Sequence, residues 1–224
     1  MGTRKIWDGA VRLFHWSQLL LLGALWWSAE QELYGVHMSL AYVLAALLLS
    51  RLCWGLIGSD NARFSHFIKS PRQVWRWWRQ RPQPKVAGHN PLSGYMIVLL
   101  LTLVLLQFGS GLMTSDQVLT DGPLVAQVSA DWVALASSFH QLNLDMLLIL
   151  TAIHVAVALW HQYRGDRLVQ AMLSGQQQAA LLPAQTVLKF RPFWHYLLLF
   201  LLFISGFYLW QGETVLALLL ADLA

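Results

Sequence analysis

Four histidines interrupt otherwise apolar stretches, and their spacing is the first chemical signal in the chain. His140 and His154 bracket "HQLNLDMLLILTAIH", fourteen residues apart. At 100° per residue that separation is about 1400°, roughly 40° short of four full turns, so both side chains share one helix face. At 1.5 Å per residue they stand about 21 Å apart along the axis. In a hydrocarbon core about 30 Å thick, one imidazole then lies near each side. The pair cannot serve one metal ion, but it can serve two cofactors at different depths. Each cofactor then needs a second ligand at the matching depth, and His15 and His37 are the histidines placed to supply it.

The elements that carry these residues follow from composition. The chain has 224 residues, of which 57% are hydrophobic and only 12% charged. A soluble domain carries about 25% charged residues, so this is an integral membrane protein. Twelve Trp residues agree with that, because Trp concentrates at membrane–water interfaces. A spanning helix needs about 20 mostly apolar residues. Five stretches qualify: Val11–Ala29, Tyr34–Ile57, Leu92–Met113, Phe139–Trp160 and Phe193–Trp210. The terminal "TVLALLLADLA" is too short to span and reads as a segment lying on the membrane surface. The single Cys53 excludes a disulfide framework and a cysteine-ligated cluster. No cleavable signal is read at the N-terminus.

All fifteen Lys and Arg fall at Arg4–Arg12, Arg51–Lys85 and Arg164–Arg191. The alternate loops carry Glu30, Glu32, Asp116, Asp121, Asp131 and Glu213 with no basic residue. The positive-inside rule then places the N-terminus in the cytoplasm and, after five spans, the C-terminus outside. The net charge of +4 is therefore a membrane-topology signal, not a nucleic-acid one. "SPRQVWRWWRQRPQP" reads as an interfacial segment against inner-leaflet lipid. "SGQQQAALLPAQ" reads as a flexible linker into the fifth span.

With this topology the first helix runs inside to outside and the second and fourth run back. His15 then matches His154 near the inner side, and His37 matches His140 near the outer side. Imidazole from two sides suits the axial positions of haem iron. Two histidines without a carboxylate suit zinc poorly, since zinc takes four ligands. An ionisable group inside a span is a functional hypothesis by default. A neutral histidine bonded to a neighbouring helix is the ordinary alternative for any one of them. His195, opening the fifth span, is the rival to His15. His161 reads as a boundary residue, with a haem propionate or a quinone pocket as its alternatives. His66 and His89 read as solvated or interfacial. Arg12, three residues before His15, is placed either to offset propionate charge or simply to flank the membrane.

The ordered motifs resemble the bacterial cytochrome b561 family, which is also similar to the cytochrome b subunits of nickel–iron hydrogenases. They are "WDGAVRLFHW" around His15, "HMSLAYVLAALLLSRLCWGLIGSDNARFSHF" from His37, "HNPLSGYMIVLLLTLVLLQFGSGLM" at the third span, the His140–His154 spacing and "GDRLVQAMLSG" beyond it. They cover about residues 4–175. The resemblance implies an all-α membrane bundle: four core helices holding two b-type haems, with iron ligands at His15, His37, His140 and His154. It divides the chain into a di-haem domain, 1–175, and a further segment, 176–224, with linker, fifth helix and short tail. Ala41 departs from the small glycine expected four residues after the second-helix histidine, and the fifth span departs from a four-helix member.

The function so implied is transmembrane electron transfer in a bacterial inner membrane, between the quinone pool and a redox partner. That partner would be a periplasmic cytochrome c or a dehydrogenase- or hydrogenase-type subunit. A stand-alone quinone oxidoreductase, acting for example on superoxide, is the alternative. A transporter or structural membrane protein with packed histidines is the third reading. No residue pattern marks a general acid or base for quinol protons.

Overall fold

The computed structural model describes residues 2–82, 84–115 and 120–223. Asp116, one of the acidic outer-loop residues, lies outside them. The described chain is mostly helical. Helices α1 (Gly9–Glu30), α2 (Tyr34–Ile57), α5 (Pro91–Gly111), α6 (Ala130–Tyr163) and α8 (Trp194–Asp222) are long. Helices α3 (Phe64–Phe67), α4 (Pro71–Arg79) and α7 (Leu168–Ser174) are short. Four of the long helices, α2, α5, α6 and α8, are long and apolar enough to cross a membrane. This is a multi-pass helical membrane protein. At 22 residues α1 is also long enough, but Arg12, His15, Gln18 and three Trp make it less apolar than the others.

Several elements run further than the hydropathy alone indicates. Helix α6 starts at Ala130, nine residues before the apolar stretch, and its 34 residues extend about 51 Å. Helix α8 does not stop at Trp210. The final residues read as a surface segment instead continue it to Asp222. The reason is visible at its end: Asp222 Oδ2 accepts a 2.8 Å hydrogen bond from Val36 N in the first turn of α2. A carboxylate there satisfies a free N–H and favours the positive helix terminus. Gly35 permits the approach, since a Cβ at that position would lie 2.5 Å from the backbone of Leu218 and Leu219.

The linker is also ordered. Gln176–Gln178 (β2) pairs antiparallel with Thr3–Lys5 (β1), Arg4 opposite Gln177. Gln177 is buried and donates through Nε2 to Asp166 O. Gln side chains supply no apolar driving force, but the backbone finds a ladder on the N-terminal arm. The interfacial segment forms α4, entered through a capping box between Ser70 and Gln73, with Pro71 at its first position. Trp75 and Trp78 are exposed on it.

The described chain divides into two compact units, and each long helix contributes one end to each. The first unit comprises Met1–His15, Ser50–Leu99 and Thr151–Leu199. Its core holds Trp54, 1% exposed, whose indole N–H donates to Asp8 Oδ2 at 2.9 Å. Asp8 Oδ1 meanwhile accepts from Val11 N at 2.7 Å and so caps α1. Tyr196 packs edge-on against Trp54. The second unit comprises Trp16–Leu49, Leu100–Leu150 and Phe200–Ala224. There Tyr42 of α2 stacks on Phe207 of α8 and meets Phe108 and Trp210 edge-on. Aromatic pairs of this kind add about 0.5–1.5 kcal/mol each beyond their buried area. They hold the fifth long helix to the unit that contains His37 and His140.

Candidate haem sites

In the first unit the rings of His15 on α1 and His154 on α6 come close, centroids 6.2 Å apart and planes inclined at 53°. Two imidazoles bound end-on to one metal need about 2 Å per metal–nitrogen bond and about 1.2 Å from each nitrogen to its ring centre, roughly 6.4 Å in total. The observed gap fits a single metal ion between the rings. Among the described residues no group of three or more His, Cys, Asp or Glu side chains comes together as a metal site. A bare zinc ion would therefore lack half its ligands. A metal that brings its own equatorial ligands, as haem iron does, needs only the two histidines.

In the second unit His37 on α2 and His140 on α6 lie within electrostatic reach of each other. Each ring is fixed through Nδ1 by the neighbouring helix, and in the same manner. His37 Nδ1 is 3.0 Å from Leu25 O and 3.3 Å from Ser28 Oγ, both on α1. His140 Nδ1 is 3.0 Å from Gln107 O and 3.1 Å from Ser110 Oγ, both on α5. A carbonyl can only accept, so Nδ1 carries the hydrogen and Nε2 keeps its lone pair for a metal. An N–H donated to a backbone carbonyl is the usual outer support of a metal-ligating histidine. Gln107 adds a second tie, donating to His140 O at 3.0 Å and accepting from Asn143 Nδ2 at 2.5 Å. Gly111 leaves the ring its space: a Cβ there would sit 3.0 Å from His140 Cε1.

All four histidines are half-buried. The structure thus places His15 beside His154 and His37 within electrostatic reach of His140. His195 stacks on Trp194, with Nδ1 3.2 Å from Pro192 O. His161 Nδ1 lies 2.7 Å from Asp166 Oδ2, in hydrogen-bond contact. His66 hydrogen-bonds to Arg63 at 2.9 Å. Arg12 is engaged at α7, where its guanidinium donates to Met172 O and Leu173 O. There it completes that helix's C-terminus.

His89, read as solvated or interfacial, is half-buried: it packs on Trp7 with centroids 4.5 Å apart and edge-on to Phe67 at 5.0 Å. Burial, then the nearby Arg51 and the histidines His15 and His154, push its imidazolium down to about 3, so the ring is neutral at physiological pH. Arg51 reads in sequence as one more inner-flank charge. The signal available was its place inside the apolar run of α2.

The prokaryotic cytochrome b561 profile matches residues 6–175. The chain belongs to the prokaryotic cytochrome b561 family. It is also similar to a protein described as "Probable Ni/Fe-hydrogenase B-type cytochrome subunit" from Rhizobium leguminosarum bv. viciae. The two are 23% identical over 165 residues, covering 63% of this chain and 67% of that subunit. No solved structure matches the chain. Membership in this cytochrome b561 family makes the chain a membrane b-type cytochrome of electron transfer.

Proposed function

We propose that the chain is a di-haem conduit, His15 and His154 holding one haem b and His37 and His140 the other. The observation that carries this reading is the 6.2 Å approach of the His15 and His154 rings, with no third His, Cys, Asp or Glu joining them among the described residues. The carbonyl-held Nδ1 atoms of His37 and His140 support the second site. Haem b, when bound, supplies reversible one-electron chemistry at iron. The protein's part is to present Nε2 lone pairs, fix ring orientation and surround both sites with apolar side chains that exclude water.

In this reading the N-terminus is cytoplasmic, the C-terminus periplasmic, and α1 completes five spans of the bacterial inner membrane. Electrons pass between the quinone pool within the bilayer and a redox partner. The likeness to a hydrogenase cytochrome subunit favours a partner subunit of the dehydrogenase or hydrogenase type over a stand-alone quinone oxidoreductase. The long, exposed α8 adds surface for such a subunit.

A reduced-minus-oxidised spectrum of the purified chain, with haem quantified per protein, tests the reading. The expected result is two haems b per chain and none after all four histidines are changed to alanine. Absence of a b-type band, or haem retained by the fourfold variant, overturns it. For topology, cysteines are placed at residues 69 and 121 in a Cys53→Ser background. An impermeant thiol reagent outside the cell is expected to label residue 121 only, and the opposite pattern inverts the orientation.

A further inference from the structure

The first unit contains a buried cation whose partner is incomplete. Arg51, in the last two turns of α2, is 3% exposed, and its Nη1 is buried without a hydrogen-bond partner. The guanidinium carbon sits 5.4 Å over the Phe64 ring, a contact that stabilises the charge weakly. Asp8 and Tyr196 are within electrostatic reach. Asp8, however, spends both oxygens elsewhere, on Val11 N and Trp54 Nε1. Among the described residues no carboxylate is in ion-pair contact with Arg51. A buried guanidinium with a donor left over is costly, and a fold retains one where an anion arrives from outside the chain.

The position of Arg51 indicates which anion. His89 lies within electrostatic reach of Arg51, His15 and His154 alike, so the guanidinium belongs to the surroundings of the His15–His154 pair. His89 is neutral there, and Arg12 is occupied by the carbonyls of α7. Arg51 is the fully buried cation among the described residues, and its Nη1 is free to meet an acid. The planar fork of a guanidinium matches a carboxylate.

We propose that Arg51 is the carboxylate-binding residue of the first unit's site, with Nη1 donating to a propionate of the haem held by His15 and His154. The proposal rests on the di-haem reading. A free carboxylate anion has the same chemistry, and an esterified haem separates the two sources.

The test uses the full chain in detergent with His140→Ala, which retains only the first unit's haem. Haem release is compared for this parent and for added Arg51→Gln and Arg51→Lys, each loaded with haem b or with its dimethyl ester, which has no ionisable carboxylate. Arg51→Gln is expected to release haem b about 10- to 100-fold faster, the worth of a charge-assisted hydrogen bond. Arg51→Lys should fall between, and all three should release the ester alike. Arg51→Gln should also lower the midpoint potential of the remaining haem, because removing a nearby positive charge favours the oxidised form.

Equal release of haem b from the parent and Arg51→Gln overturns the proposal. So does a release difference that persists with the ester, since Arg51 would then be structural or bound to a free anion. If Arg51→Gln does not accumulate, Arg51→Lys against the parent gives the same two comparisons. A parent that binds neither form fails the di-haem reading itself, a separate outcome.

Discussion

The two histidine pairs are built differently. In the second unit each ring is held by neutral groups, a backbone carbonyl and a serine hydroxyl one turn later on the same helix. In the first unit the pair is surrounded by charge and by rings: Arg51 and Asp8 buried nearby, and His89 packed between Trp7 and Phe67. The second unit's rings are held by neutral hydrogen bonds, and the first unit's pair has a buried cation in its surroundings. On the proposed di-haem reading, haems held in such different surroundings would differ in potential.

Substitutions at the ligands' supports should break this contrast site by site. The largest effect is expected for Gly111→Val, which puts branched carbon where even a Cβ would be 3.0 Å from His140 Cε1. It should abolish the second unit's haem and spare the first, as read by haem per chain. Trp54→Phe leaves Asp8 Oδ2 buried without its donor and should destabilise the first unit by about 1–3 kcal/mol. The expected readout is a lower thermal midpoint with the second unit's haem signal retained longer. Ser110→Ala removes one of two Nδ1 partners, and loss of outer support costs about 10-fold or less in cofactor retention when the carbonyl remains. Ser28→Ala should behave the same way at His37, and neither should alter the first unit's spectrum.

The smallest effect concerns pH. His89 is faced by Arg51, His15 and His154, and its folded value of about 3 lies below the ordinary 6.5. The unfolded chain therefore binds more protons between those values, and stability falls as pH drops through that window. His89→Gln should make the acid-side loss shallower in a pH series of thermal unfolding. Unchanged steepness would mean that the ring is not held neutral in the fold.

What was legible beforehand divides along physical lines. Helical periodicity and charge placement predict that His15 and His154 share a depth, because residue count sets depth along a spanning helix, and their rings are 6.2 Å apart. The same count could not show that α8 continues past Trp210, because the favourable end of that helix is a long-range contact between Asp222 and Val36. Gln176–Gln178 read as linker because its composition is polar and its strand partner, Thr3–Lys5, is more than 170 residues away. Arg51 reads as a flanking charge and His89 as solvated or interfacial, since burial of a side chain near a helix end is decided by the elements folded over it. Ser28 and Ser110 carried no signal, for a hydroxyl in an apolar run ordinarily bonds its own helix, as both also do here.

The central claim is the pairing, and haem stoichiometry in paired substitutions tests it most directly. His15→Ala and His154→Ala, alone or together, should each leave one haem per chain with one and the same spectrum and potential. His37→Ala with His140→Ala should leave the other haem. Combining His15→Ala with His37→Ala should leave none. Loss of both haems from the His15/His154 double variant, or loss of the first unit's haem on His195→Ala but not on His15→Ala, would contradict the account.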